Sequence, residues 1–265
     1  MGFEVVHCDT SNQKLWAPLI NTDTLYANGQ LLVSANEGVS PLVAASGAAD
    51  TSQKQIPWGV TVGTNKKTPT FSATYNSDSI TYAAASSAGS EDYVGVEGPW
   101  AKNDREAMVE YLPLTATTVL RAPLYTDTLG TSPTVATFAS GLSTLGGTSS
   151  AVEEAGVATL STLFIRSGVV AGSYRVTDDT SATVMTWDNE LNAAPEVGDT
   201  AVRVNLRPLG TCRMQIGTEA LFIDTGATVT TNYFLIDVVR LDLREAGKEY
   251  VEFRFHPSHF DSVRA

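Results

Sequence analysis

A two-residue alternation of apolar and polar side chains recurs along this chain, and sustained helical periodicity does not. In Ala201-Val202-Arg203-Val204-Asn205-Leu206-Arg207, the apolar Val202, Val204 and Leu206 alternate with Arg203, Asn205 and Arg207. Successive side chains of a strand point to opposite faces, so this spacing predicts a strand with one dry face. Val251, Phe253 and Phe255 alternate with Glu252 and Arg254 in the same manner. The run Tyr233 to Leu243 is apolar at both parities, which predicts a central strand buried on both faces. Further strands are expected at Leu25–Val33, Trp58–Gly63, Ser79–Ala84, Tyr93–Glu97, Val109–Leu114, Thr118–Leu124, Thr134–Ala139, Leu160–Ile165, Ser173–Thr177, Thr183–Trp187 and Ala220–Asp224.

Turn chemistry separates these runs. Asn28-Gly29, Asn76-Ser77-Asp78, Gly98-Pro99, Gly146-Gly147 and Gly198-Asp199 are residue pairs and triplets that tolerate tight or left-handed backbone. Strands at this spacing predict an all-β fold: β-barrel or sandwich domains with long loops and very little helix. Two short helices compete with that reading. Asn103-Asp104 suits the cap of two turns over Arg105–Val109, although the same residues also lead into a strand. Residues 149–163 are a second place, weakened by Gly156 and Thr159.

Composition sets the function classes. The chain has 265 residues, 43% of them hydrophobic and 17% charged. The apolar share is enough for a folded core, while about 25% charge is usual for a soluble domain. Formal net charge is −12, which repels phosphate backbones and anionic lipid, so neither nucleic acid nor membrane is expected as a partner. The adjacent bases Lys66-Lys67 read as a solvated loop tip. Cys8 and Cys212 fall in no metal-ligand spacing and suit a reducing compartment. Residues 1–16 carry neither the basic nor the apolar region of a signal peptide, and no apolar run nears the ~20 residues a spanning helix needs. A soluble protein is the expectation. The charge-poor stretch 125–150, rich in Thr, Ser and Gly, divides the chain into an expected N-terminal β-barrel-like domain, 1–125, with an extended arm, and a second β-rich region, 126–265. That stretch reads equally as a linker or exposed hairpin and as an ordinary long β connection.

Few residues carry chemistry. Asp224-Thr225-Gly226 follows the apolar Leu221-Phe222-Ile223 and is similar to the active-site segment of retroviral-type aspartic proteases. That chemistry needs two aspartates sharing one proton, and the chain supplies neither a flap nor a second apolar Gly-bearing segment. A hairpin turn explains the same triplet. His256 and His259 have the spacing of half a zinc site, but Pro257 interrupts a helix there and no third ligand is near. Two terminal-loop histidines are the favoured reading, and His7-Cys8-Asp9 is read in the same way. Glu91, Asp92 and Glu97 read as a solvated edge. Trp16, Trp58, Trp100 and Trp187 read as core or interface anchors. No Gly-x-Ser-x-Gly elbow, phosphate-binding Gly-Lys-Ser/Thr loop or Gly-x-Gly-x-x-Gly fingerprint occurs. The expectation is no catalytic residue, no metal and no cofactor.

The segments Leu25–Leu32, Gly38–Leu42 and Ile56–Gly63 resemble head proteins of tailed phages, specifically the capsid decoration (cement) class. Gly172–Val176 and Arg244–Tyr250 have the texture of the same virion class. The likeness is one of pattern rather than of a single diagnostic motif. It implies a structural virion protein, often a homotrimer, that sits on the capsid surface and bridges major capsid subunits after assembly in the host-cell cytoplasm. A tail, neck or head-fibre protein is the alternative, and an Asp224-centred protease the remote one. The arm Met1–Gln13 is expected either to add as a strand to a neighbour's edge or to complete the chain's own sheet.

Overall fold

The structure, a computed structural model, describes residues 2–8, 13–18, 25–27, 29–35, 38–42, 57–64, 79–81, 108–125, 135–140, 144–146, 161–181, 184–188, 195–217, 220–225 and 233–260. The protein is all-β: the one helical element among the described residues is a 3-10 turn, Pro257–His259. The strands run in chain order. The first eight are β1 (Glu4–His7), β2 (Leu15–Pro18), β3 (Leu25–Ala27), β4 (Leu31–Ala35), β5 (Gly38–Pro41), β6 (Pro57–Thr64), β7 (Ser79–Thr81) and β8 (Met108–Pro113). Then come β9 (Val119–Tyr125), β10 (Val135–Ser140), β11 (Thr144–Gly146), β12 (Thr162–Ile165), β13 (Gly172–Ser181), β14 (Val184–Trp187) and β15 (Thr200–Val204). The last are β16 (Thr211–Ile216), β17 (Ile223–Asp224), β18 (Phe234–Asp242) and β19 (Tyr250–Phe255).

Three larger sheets and one strand pair result. Strands β10-β11-β14-β13-β12-β15 close into a barrel. A second ring closes through β9, β19, β18, β16 and β17, because β17 returns to pair in parallel with β9 while β19 pairs with both β9 and β18. Closure of this kind removes the exposed edges that make open sheets prone to aggregation. The third sheet has the order β2-β8-β6-β4-β5, and β3 pairs with β7. The three strand pairings that β9 makes, with β1, β17 and β19, link the two halves of the chain or its N-terminus to its middle. Within the stretch 125–150, β10 and β11 pair antiparallel.

One apolar core joins these layers. Leu31, Val33, Leu42 and Val60 of the open sheet meet Leu120, Ala122 and Leu124 of β9 and Val202 and Val204 of β15, together with Phe253 and Phe255. Close approach is built in where β6 crosses β8. A Cβ on Gly59 would clash with Cδ2 of the Tyr111 ring, so glycine is what lets that ring pack against β6. Tyr111 Oη then accepts from Trp58 Nε1 at 2.9 Å, fixing an indole that remains 40% exposed.

Several expectations meet a different geometry. Tyr233–Leu243 is central in its sheet, but it is buried on one face only: Phe234, Ile236 and Val238 are inside while Val239 and Arg240 are exposed. A register shift between Val238 and Arg240 reverses the parity there, which an unbroken apolar run conceals. The 201–207 strand has the opposite error. Its polar face is buried as well, because Asn205 and Arg203 lie beside Ser161 of the neighbouring segment. Residues 108–113 and 162–165 are strands, so neither proposed helix reaches them; residues 103–107 and 149–160 lie outside the described residues, as does Tyr93–Glu97.

The N-terminal arm completes the chain's own sheet. Glu4 and Val5 pair with Arg121 and Leu120, Phe3 is 2% exposed, and the Phe3 ring sits edge-on to Phe253 at 6.2 Å. Deleting residues 2–9 is therefore expected to lower the melting temperature of the isolated chain by several degrees, since a buried aromatic and a strand leave together. A thermal melt of the truncated protein checks this. An unchanged midpoint would return the arm to an intermolecular role.

Candidate functional site

The described part of the Asp-Thr-Gly segment, Asp224 and Thr225, is not in the turn of the β16–β17 hairpin. The β16–β17 hairpin turns earlier, where Gly217 donates to Phe222 and Ala220 to Gly217. Asp224 is the last residue of β17, opposite Gln215 and beside Tyr125. Thr225 continues that contact: its amide and its hydroxyl both donate to the Tyr125 carbonyl, at 2.7 and 3.0 Å. Asp224 faces a hollow lined by Asn205, Leu206, Arg213, Met214, Ile223 and Thr225, with no second carboxylate among them. The geometry makes Asp224 and Thr225 a clasp between strands. Gly226 lies outside the described residues.

The two histidines near the C-terminus serve the backbone. His256 caps the 3-10 turn, its Nδ1 accepting from the Ser258 amide at 3.3 Å with the Ser258 hydroxyl 2.9 Å away. This serine–imidazole contact spans two residues within one turn, and the same ring nitrogen already serves a backbone amide. His259 Nε2 accepts from the Leu235 amide at 2.9 Å. Among the described residues, no group of three His, Cys, Asp or Glu side chains is placed to hold a metal. His7 pairs opposite Val119 in β1, and Cys212 is buried, which pushes its thiol upward from the ordinary range. Asp9, Lys66, Lys67, Glu91, Asp92, Glu97 and Trp100 lie outside the described residues.

Charged side chains instead organise one surface of the ring. Glu4, Arg121, Glu252 and Arg240 stand in a single cross-strand row over β1, β9, β19 and β18, alternating in sign. Opposite charges facing across a ladder stabilise the register, and like charges there would oppose it. Arg121 reaches Glu252 at 2.7 Å and Glu4 at 3.8 Å. Its guanidinium also covers the Tyr250 ring, 4.8 Å from the centroid, while Arg240 approaches the same ring at 5.6 Å. The hydrogen bond to Glu252 raises the Arg121 pKa further above its ordinary value.

Beside this row a groove of about 160 Å³ opens between barrel and ring, lined by Thr162, Phe164 and Ser173 on one side and by residues 240–244 on the other. Asp242 is its centre of charge. The Arg244 guanidinium grips both its oxygens and, helped by Arg240, holds the carboxyl below the usual carboxylate range. A depressed carboxylate contributes its stabilisation in full above its unfolded value of ~3.9 and loses it progressively as pH falls from there through its lower folded value. Asp242→Asn is expected to lower the melting temperature at pH 7 and to lower it less at pH 3. Melts of both proteins at the two pH values check the sign.

Solvent-facing apolar side chains are a second surface feature of the protein. Val169 and Val197 are 76% and 75% exposed, on two loops at one end of the barrel. Those loops are tied together. Ser167 Oγ donates to Asp199 at 3.1 Å, Asp199 accepts from the Glu196 amide at 2.9 Å, and the Arg166 amide donates to the Thr200 carbonyl. Gly168, at φ +85°, lets the Asp199 carboxylate sit where any side chain would stand. Leu209 is 92% exposed and held at φ +61°, a left-handed backbone that is costly for leucine. Sequence patterning misses these residues because single apolar positions in loops are common; the Pro208-Leu209-Gly210 turn was the available signal. No helix among the described residues is long and apolar enough to cross a membrane.

Comparison with known proteins adds no relative: no family model, no curated protein and no solved structure matches this chain.

Proposed function

We propose that this chain is a structural virion protein that decorates the capsid of a tailed phage, stabilising it by bridging major capsid subunits as a homo-oligomer, in the manner of the trimeric decoration proteins. The observation that carries the reading is the set of apolar side chains displayed on fixed loops: Val169, Val197 and Leu209, each at least three-quarters exposed. Preorganised loops lose little entropy when a partner covers them, so they suit permanent docking. The closed barrel and ring, the alternating charge row and the texture of residues 25–63 are what a stable, surface-mounted building block requires. The Asp224 hollow, with its one carboxylate, offers no comparable support for peptide hydrolysis.

The test is co-sedimentation of the purified chain with capsids that lack it, followed by electron microscopy of the particles. Wild type is expected at regular positions on the capsid surface. A triple Val169→Asp, Val197→Asp, Leu209→Asp variant is expected to keep its fold by circular dichroism and lose binding. Density confined to the tail or neck would overturn the proposal, as would pepstatin-sensitive peptide cleavage that Asp224→Asn abolishes.

A further inference from the structure

We infer that His259 is a pH-sensitive latch, holding the segment after β19 against β18 at neutral pH and releasing it on mild acidification. In a regular antiparallel ladder, Leu235 and His256 would exchange two backbone hydrogen bonds. One of them is made: the His256 amide donates to the Leu235 carbonyl at 3.0 Å. The His256 carbonyl is diverted, because the chain turns through Pro257–His259 and the His259 amide donates to it at 3.0 Å. An imidazole takes the vacated place. The Leu235 amide donates to His259 Nε2 at 2.9 Å, so the last rung of the β18–β19 ladder ends on a side chain.

That rung exists in one protonation state. A ring nitrogen accepts only while it carries no proton, and the donor here is a backbone amide whose direction is fixed. The neutral ring must therefore carry its proton on Nδ1. Protonation at Nε2 sets two N–H groups against each other and the rung is lost. Phe234 and Phe255, with ring centroids 5.6 and 6.0 Å from the imidazole, hold its orientation so that no other nitrogen turns toward Leu235.

Among the described residues, the titratable and charged groups on the elements packed against His259 are engaged in bonds of their own. His256 belongs to the same turn and serves Ser258. Arg213 of β16, opposite Leu235 in the ladder, lies over the Tyr233 ring at 4.4 Å. Asp237 of β18 is engaged by Arg254 of β19 at 3.3 Å and by Thr211 at 2.7 Å. None of these bonds supplies an acceptor to the Leu235 amide. A group whose neutral form is the bonded one gives its stabilisation at high pH and loses it as pH falls through the imidazole range, around 6.5.

Amide hydrogen exchange of the full chain at pH 7.5 and 5.5, read by NMR and corrected for intrinsic rates, tests the latch. Leu235 protection is expected to fall about tenfold, equivalent to ~1.4 kcal/mol, while the Phe253 amide keeps its protection. His259→Gln, whose side-chain oxygen accepts without titrating, is expected to show no such change. Nitrogen chemical shifts of the wild-type imidazole are expected to show Nε2 unprotonated at pH 7.5. The latch is overturned by a protonated Nε2 at that pH, by equal Leu235 protection at both pH values, or by the same loss in His259→Gln.

Discussion

Arg166→Met is expected to destabilise the chain by about 3–5 kcal/mol, the usual result of stranding one half of a buried ion pair. Glu249 has a fully buried side chain, and Arg166 is only 11% exposed. The guanidinium bonds to Glu249 Oε1 and donates through Nε to the Leu243 carbonyl at 3.0 Å. Among the described residues, Glu249 Oε2 has no hydrogen-bond partner, so the arginine carries nearly all the compensation for the carboxylate. Removing it leaves a desolvated anion and an unpaired carbonyl together. The site lies where the loop after β12 meets the β18–β19 connection, so the barrel and the ring are joined through it. Pairing the change with Glu249→Leu is expected to restore most of the loss, because the uncompensated charge leaves with its partner. Urea denaturation of both variants measures the difference. A single-variant loss under about 1 kcal/mol would show that water reaches Glu249 once the arginine is gone.

Phe253→Ala is expected to cost about 3–5 kcal/mol by the same measurement, through lost burial and the cavity left behind. Phe253 is fully buried on β19, with Leu120 of β9 on one side in the ladder and Val238 of β18 on the other. It packs edge-on to Phe255 at 5.5 Å as well as to Phe3. Phe3→Ala should therefore cost less in the Phe253→Ala background than in the wild type, with a coupling of about 0.5–1.5 kcal/mol. Strict additivity would mean that the N-terminal arm and the ring core are energetically separate.

The two-residue period made the all-β class legible, and where it failed the cause is local. Val251, Phe253 and Phe255 read correctly because Tyr250–Phe255 itself carries no extra residue: its pairing with β9 is regular, and the bulge in its pairing with β18 lies on β18 at Val239. Tyr233–Leu243 misreads because Val239 is apolar yet turned outward by a bulge. Thr211–Ile216 carries a usable alternation, with Cys212, Met214 and Ile216 buried, but the short Pro208-Leu209-Gly210 turn before it merges it with the preceding strand. Glu4–His7, Leu15–Pro18 and Gly38–Pro41 are four residues each, too short for a period to declare itself. The surface features were harder still. The row Glu4, Arg121, Glu252, Arg240 joins residues far apart in the chain, and no local pattern encodes which strands lie side by side. Asp224-Thr225 shows the converse: a recognisable local motif whose role is set by Tyr125, a hundred residues away.

The closed ring also dictates an order of events during synthesis. β9 and β19 are paired through Arg121 and Glu252, 131 residues apart, and β19 is the strand that joins β9 to β18. Contacts of such long sequence separation form late, because the loop-closure entropy is spent before they contribute. Until Phe255 has left the ribosome, β9 and β18 each lack the neighbour that covers one side, and the nascent chain displays two unsatisfied ladders. The interval between making β9 and making β19 is thus the period in which this protein is most exposed to mispairing with other copies of itself, and slower synthesis lengthens it.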